Sequence, residues 1–189
     1  CDVTRKEDFQ AALALTMETY GRADILLNGA GCNAPTPVLD ISADEWEEIT
    51  KSHVLGTLLG CQVFGEQLLA QGSGAIVNFS SASAGPPLSK AFSYSAAKAG
   101  VLSLTQNIAR EWAGKGVRVN ALSPGWFKSE MTGDMDTDAS SQAFVTANAL
   151  LPRMGNEDEL DGALLLLASR AGGYMTGHSL LVDGGWTAI

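Results

Sequence analysis

Tyr94 and Lys98 stand four residues apart in Tyr94-Ser95-Ala96-Ala97-Lys98, and Ser81 lies thirteen residues before the tyrosine. On a helix, side chains at i and i+4 share a face. An ammonium held beside a phenol favours the phenolate and draws its pKa down from about 10. A serine hydroxyl delivered to the same place from a strand end fixes a substrate oxygen against that acid. Such a trio gives or takes one proton while something else moves a hydride. A Tyr-x-x-x-Lys pair by itself is more often a solvated helix pair, so the elements around it decide.

Those elements alternate. Thr4-Arg5-Lys6-Glu7 has the form of a capping box ahead of a helix carrying Phe9, Leu13, Met17 and Tyr20, which Gly21 ends. Ile25 to Asn28 reads as a strand. Ser42-Ala43-Asp44-Glu45 is a second capping box, opening a helix to about Gln71. Ala75 to Phe79 reads as a strand, Phe92 to Ala113 as a helix, and Val117 to Leu122 as a strand. The stretch from Trp126 to Met154 is polar and mixed, with a short helix around Ser140 to Ala149. Asn156 and Glu159 cap a last helix striped with Leu160, Ala163, Leu164 and Leu167, and Ser179 to Val182 is the last strand. Trp46 and Trp112 read as core. The strands are continuous apolar runs, the pattern of a parallel sheet buried on both faces with right-handed crossovers. The fold class is therefore α/β, doubly wound, in one domain over residues 1–189.

Ligands of such sheets bind beyond the carboxyl ends of the strands. Here the first strand runs into Asn28-Gly29-Ala30-Gly31, the second into Ser80-Ser81, and the third through Asn120 into Pro124-Gly125. Each has a plain alternative: glycines make tight turns, serines cap, and Pro-Gly turns the chain. All of them, with the Tyr94 helix, fall at one edge of one sheet.

The chain has 46% hydrophobic and 17% charged residues, a globular rather than a disordered balance. Its net charge of −9 argues against nucleic acid or an anionic membrane as partner. The longest apolar run, Ala163 to Ala168, is too short to span a bilayer. Cys1, Cys32 and Cys61 lack metal spacing and read as reduced thiols of a cytoplasmic protein, with Cys61 packed in a helix. No metal site is expected.

These residues resemble the short-chain dehydrogenase/reductase family over nearly the whole chain. The resemblance implies a Rossmann-like sheet and an NAD- or NADP-dependent oxidoreductase acting on a small-molecule alcohol or carbonyl. It implies Ser81, Tyr94 and Lys98 as catalytic residues: Tyr94 as general acid/base, Lys98 lowering its pKa and holding the nicotinamide ribose, and Ser81 on the substrate oxygen. It places Asp2 at the adenine, Asn28, Gly29, Ala30 and Gly31 along the cofactor, Pro124 and Gly125 behind the nicotinamide, and Phe127 and Ser129 near its carboxamide. It also implies a homotetramer built through the helices from Ser42 and Phe92, with Gly56, Gly60 and Gly65 permitting close approach of symmetry mates.

Three departures stand out. His53 occupies the place of a family Asn that anchors a water in a proton relay, and is carried as a candidate catalytic residue. Gly29 replaces the second Asn of the family's Asn-Asn-Ala-Gly motif. No Gly-x-x-x-Gly-x-Gly phosphate turn occurs in the 189 residues. The expectation is accordingly a C-terminal portion of the fold, its four strands in the order of the family's fourth to seventh. Ile25 to Asn28 then becomes an apolar edge, and the 189 residues by themselves bind dinucleotide poorly and are inactive. A non-catalytic binding or oligomerisation module is the alternative. A serine hydrolase using Ser81 with His53 or His178 lacks the Gly-x-Ser-x-Gly elbow.

Overall fold

The computed structural model describes residues 1–188. Four strands, β1 (Ile25–Asn28), β2 (Gly74–Phe79), β3 (Val117–Pro124) and β4 (Ser179–Val182), form one parallel sheet in the order β1-β2-β3-β4. The helices are α1 (Lys6–Tyr20), α2 (Ala43–Thr50), α3 (Gly56–Gln71), α4 (Phe92–Trp112), α5 (Ala139–Asn148) and α6 (Asp161–Ala168).

Alternation along each strand divides the core into two layers. Ile76, Val117 and Val119 point to one face, where Phe9, Cys61, Phe64, Leu68 and Ala109 of α1, α3 and α4 cover them. Val77 and Leu122 point to the other face, against Leu167 of α6 with Leu160 and Leu164 beside it. Because both faces are covered, β2 and β3 bury nearly every residue. β1 is an edge of this sheet, and Ile25 and Leu27 on it are 48% and 46% exposed.

Several local expectations hold and several are corrected. Asn156 and Glu159 form a reciprocal capping box. At α2 the box is half made: Ser42 Oγ accepts from Glu45 N, but the Glu45 carboxylate accepts from Thr36 Oγ1 instead of turning back. No box forms at α1, because Asp2 Oδ1 accepts from both Thr4 N and Thr4 Oγ1 and the cap falls on Arg5. Trp46 is 45% exposed rather than core. Gly56, Gly60 and Gly65 are buried within the chain, against Val3, Asn28 and Trp112 respectively, so their lack of a side chain serves internal packing and not symmetry mates.

The helix expected from Ser42 to Gln71 is interrupted. Residues Lys51–Leu55 form a π-helical turn between α2 and α3. A π turn widens the backbone ring and redirects the side chains on it. His53 lies at its centre.

Candidate active site

Tyr94 and Lys98 sit on the first two turns of α4, whose N-terminus lies at the carboxyl end of the sheet. Two bonds hold Lys98 there: Ser80 Oγ donates to its carbonyl (2.9 Å), and its own ammonium donates to Phe79 O at the end of β2 (2.7 Å). The Lys98 ammonium lies 5.4 Å from the Tyr94 ring centroid. Ser81 follows β2; its Oγ is 3.0 Å from Ser83 Oγ and accepts from Ser83 N. The Ser81 hydroxyl acts on the Tyr94 phenol in the sense that favours its anion. Ser81, Tyr94 and Lys98 therefore converge, as their spacing implies.

The charges do not balance as the spacing alone suggests. Burial pushes the Tyr94 phenol above its ordinary value, and the Ser81 hydroxyl only partly opposes this. Lys98 is 4% exposed, and burial draws its ammonium down to about 8. Desolvation outweighs the pairing in this state of the site. The expected acidification of Tyr94 by Lys98 is corrected to that extent: the lysine's own charge is costly here, and burial works against the charged form of both groups.

His53 is the third side chain on the Tyr94 ring. The two rings meet edge to face, with centroids 5.3 Å apart and planes at 83°. His53 is 1% exposed, and its Nε2 lies 2.7 Å from Cys32 O. A carbonyl only accepts, so Nε2 carries the proton and Nδ1 is left as a bare acceptor. Among the described residues Nδ1 is buried and has no partner. Burial, with the Lys98 charge nearby, pulls the imidazole down to about 4. Neither imidazole pairs with Ser81, which leaves the hydrolase reading without its base.

The remaining site residues divide. Asp2, Ala30 and Gly31 line an open groove of about 660 Å³ together with Val3, Cys32 and Ser52. A Cβ on Gly31 would overlap the His53 ring, so this glycine makes room for the imidazole. Gly29 is under no such demand: a Cβ there would make ordinary contact with Phe79 at 3.5 Å. Asn28 Nδ2 donates to Asn78 Oδ1 (2.9 Å), and Asn78 Nδ2 donates to Thr105 Oγ1 (3.0 Å), a buried amide ladder joining β1, β2 and α4. Gly125 follows Pro124 and is pressed against Asp183, where a Cβ would lie 2.7 Å from Cα. The Phe127 ring packs on Gly155, and Ser129 is engaged in a local turn with Thr132. Neither reaches the Tyr94 cluster by any of these bonds. Sequence reading missed Phe79, Cys32, Asn78 and Ser83. Two of these act through backbone carbonyls, which no residue type advertises.

A nicotinamide nucleotide fits the chemistry of this donor set. The Lys98 ammonium has three N–H groups and spends one on Phe79 O. The groove lined by Asp2, Ala30 and Gly31 lies past the end of β1, where a flat ligand approaches backbone closely.

A strand-end site of this kind on a parallel sheet defines a nucleotide-dependent oxidoreductase of Rossmann type. A family model described as enoyl-(acyl carrier protein) reductase matches residues 1–187. The chain is 35% identical over 187 residues to the D-threitol dehydrogenase of Mycolicibacterium smegmatis, covering 99% of this chain and 72% of that protein. It is 40% identical over 191 residues to the galactitol 2-dehydrogenase (L-tagatose-forming) of Cereibacter sphaeroides, covering 98% and 74%. A gluconate 5-dehydrogenase from Burkholderia cenocepacia, solved with NADP and tartrate, superposes with a TM-score of 0.95 at 30% identity, covering 100% of this chain and 74% of that one. The chain belongs to the short-chain dehydrogenase/reductase family, whose members are oxidoreductases using NAD or NADP. It spans about three quarters of the length of these relatives. None of the described helices is long and apolar enough to cross a membrane.

Proposed function

We propose that this protein interconverts a secondary alcohol and a ketone on a small polyhydroxylated substrate, with Tyr94 as the general acid/base. The observation that carries the reading is the cluster on the half-buried Tyr94 ring at the ends of the strands: the buried Lys98, its ammonium 5.4 Å from the ring centroid, and the half-buried Ser81, whose hydroxyl favours the phenolate. Relatives named for threitol, galactitol, glycerol and gluconate support a polyol or sugar-acid substrate.

In the oxidative direction Ser81 holds the substrate hydroxyl, and Tyr94 removes its proton as the carbinol hydrogen leaves as hydride. In reduction Tyr94 returns the proton to the developing alkoxide. NAD(P), when bound, accepts or donates that hydride. A phenol that burial holds neutral suits the donating role at neutral pH, and it becomes a base when a cationic neighbour favours its anion. The Lys98 ammonium is that neighbour, and its two spare N–H groups are available to ribose hydroxyls.

Asn28, Ala30, Gly31, Gly29 and Asp2 line the nucleotide path in this reading. Pro124 and Gly125 back the nicotinamide, with Phe127 and Ser129 towards its carboxamide. The 189 residues contain no Gly-x-x-x-Gly-x-Gly turn, so by themselves they are expected to bind a dinucleotide weakly. Assembly as a homotetramer in the cytoplasm completes the proposal. Trp46 on α2, Phe92 on α4 and Leu181 on β4 remain exposed and would supply the apolar contacts.

The test is a panel of polyols and sugar acids offered with NAD and with NADP to the native full-length protein, followed by reduced-nicotinamide absorbance. Turnover on at least one secondary alcohol is expected. No turnover on any, with dinucleotide bound, would remove the substrate assignment.

A further inference from the structure

The positive end of α4 carries no cap. The helix runs for 21 residues, and its N-cap is Ala91, which has no side-chain oxygen. Ser95 N donates to Ala91 O (2.7 Å) and closes the first turn. Among the described residues nothing accepts from the N–H groups of Phe92, Ser93 and Tyr94. Free N–H groups at a helix start, together with the helix dipole, attract an anion. Water satisfies such groups on many helices, so the terminus by itself marks no site.

Ser93 supplies the second observation. It is 2% exposed, and its Oγ has no hydrogen-bond partner among the described residues. Native proteins leave few buried hydroxyls in that state. Thr105, three turns along the same buried stripe, spends its own hydroxyl on Val101 O. Side chains on a helix lean towards its N-terminus, so the Ser93 hydroxyl lies on the side of the three free N–H groups. It is screened from bulk water and still unpaired, the state of a group whose partner arrives with a ligand. Charge points the same way. Lys90, just outside the helix, is exposed and enters no ion pair among the described residues. Residues 67–110 hold no Asp or Glu, in a chain with 21 of them, so this stretch offers the terminus no carboxylate of its own.

We infer that the N-terminus of α4, with the Ser93 hydroxyl, binds a carboxylate of the substrate, and that this protein acts on a hydroxy acid in preference to a neutral polyol. The inference rests on reading Tyr94 as the group that meets the carbinol. Tyr94 stands on the same first turn, so one small molecule reaches both places, its carbinol at the phenol and its carboxylate at the free N–H groups. There the carboxylate gains charge-assisted hydrogen bonds. A terminal CH2OH in its place leaves the positive end of the helix without a counter-charge.

The experiment is calorimetric titration of the native full-length protein, held with reduced NAD or reduced NADP, by gluconate and by glucitol. The two probes share a carbon chain and differ in one terminal carboxylate. An alcohol cannot react with a reduced nicotinamide, so affinity is read without turnover, and a failure of Tyr94 as acid/base would leave these affinities where they are. Gluconate is expected to bind at least about tenfold more tightly than glucitol, the worth of a hydrogen bond to a charged group. Ser93→Ala removes an unpartnered hydroxyl and introduces the best helix former, so the variant folds. It should weaken gluconate by about tenfold and leave glucitol unchanged. Ser95→Ala is the control: Ser95 Oγ is also unpartnered, but the residue is only half-buried and its N–H is already spent on Ala91 O. It should leave both affinities as they are. Ala91→Asp gives the terminus a carboxylate of its own and should bring gluconate down to the level of glucitol. Equal affinities for the two probes in the wild type, or a preference for gluconate that survives Ser93→Ala, overturns the inference.

Discussion

Gly31→Ala is the substitution whose consequence is most fully determined by the surroundings. Gly31 does not have a positive φ, so its backbone accepts an alanine without strain. The cost comes from the new Cβ, which would fall on the His53 ring, meeting Cε1 first and both nitrogens next. The ring cannot move deeper: it is 1% exposed, its edge already meets Tyr94, and Nε2 is tied to Cys32. Overpacking a core position costs about 1–3 kcal/mol, and losing the Cys32 bond adds about 1 kcal/mol. The expected destabilisation is about 3 kcal/mol, which for a chain of this size lowers Tm by roughly 6–12 °C. The assay is denaturant and thermal unfolding of wild type, Gly31→Ala, His53→Asn and the double variant. A smaller side chain at 53 relieves the overlap, so the double variant should be more stable than the sum of the single losses by about 1–2 kcal/mol. Losses that add to within about 0.5 kcal/mol would show that the imidazole is not what Gly31 makes room for.

Other consequences follow from burial at the same place. The His53 imidazole is pulled from its ordinary 6.5 to about 4. Between those values the unfolded chain binds more protons, so His53 contributes stability above pH 6.5 that is lost as pH falls towards 4, up to about 3 kcal/mol. His53→Phe should flatten that part of the unfolding profile; an unchanged slope would contradict the burial of the charge. Lys98 is drawn from 10.5 to about 8, so burying its ammonium weakens the fold below pH 8 and less so as pH rises towards 10.5. Lys98→Met should stabilise the chain by about 1–3 kcal/mol at pH 7, with the gain shrinking in alkali; a loss of stability at pH 7 would refute this. At the β1 edge, Leu27→Lys should suppress concentration-dependent association seen by light scattering, because a charge on an exposed strand edge blocks strand pairing. Association unaffected by the lysine would assign it to another surface.

The parts of the site that were legible in the sequence are those carried by short-range spacing. Tyr94 and Lys98 share a helix face because they are one turn apart, and Ser81 arrives with them because a strand end and a short loop allow little else. The Asn156–Glu159 box was legible for the same reason. What was not legible depends on partners far along the chain. Asp2 captures Thr4 and cancels a cap that four residues spell out. Cys32 supplies a carbonyl to His53 from 21 positions away, and Phe79 supplies one to Lys98 from 19. Glycine spacing on α3 was read as a face for symmetry mates, whereas the close neighbours are Val3, Asn28 and Trp112 of the same chain. The sign of the Tyr94 shift was misjudged because spacing reports proximity and says nothing of water exclusion, which is the larger effect here.

The most direct measurement is alcohol-dependent reduction of NAD or NADP by the native full-length protein and by Tyr94→Phe, with Tyr20→Phe and Tyr174→Phe as controls on the two exposed tyrosines. Removing one phenolic oxygen should lower kcat by at least about 100-fold while leaving the unfolding midpoint and dinucleotide binding close to wild type, and the controls should turn over normally. A Tyr94→Phe protein that turns over like wild type would contradict the assignment of the proton to Tyr94.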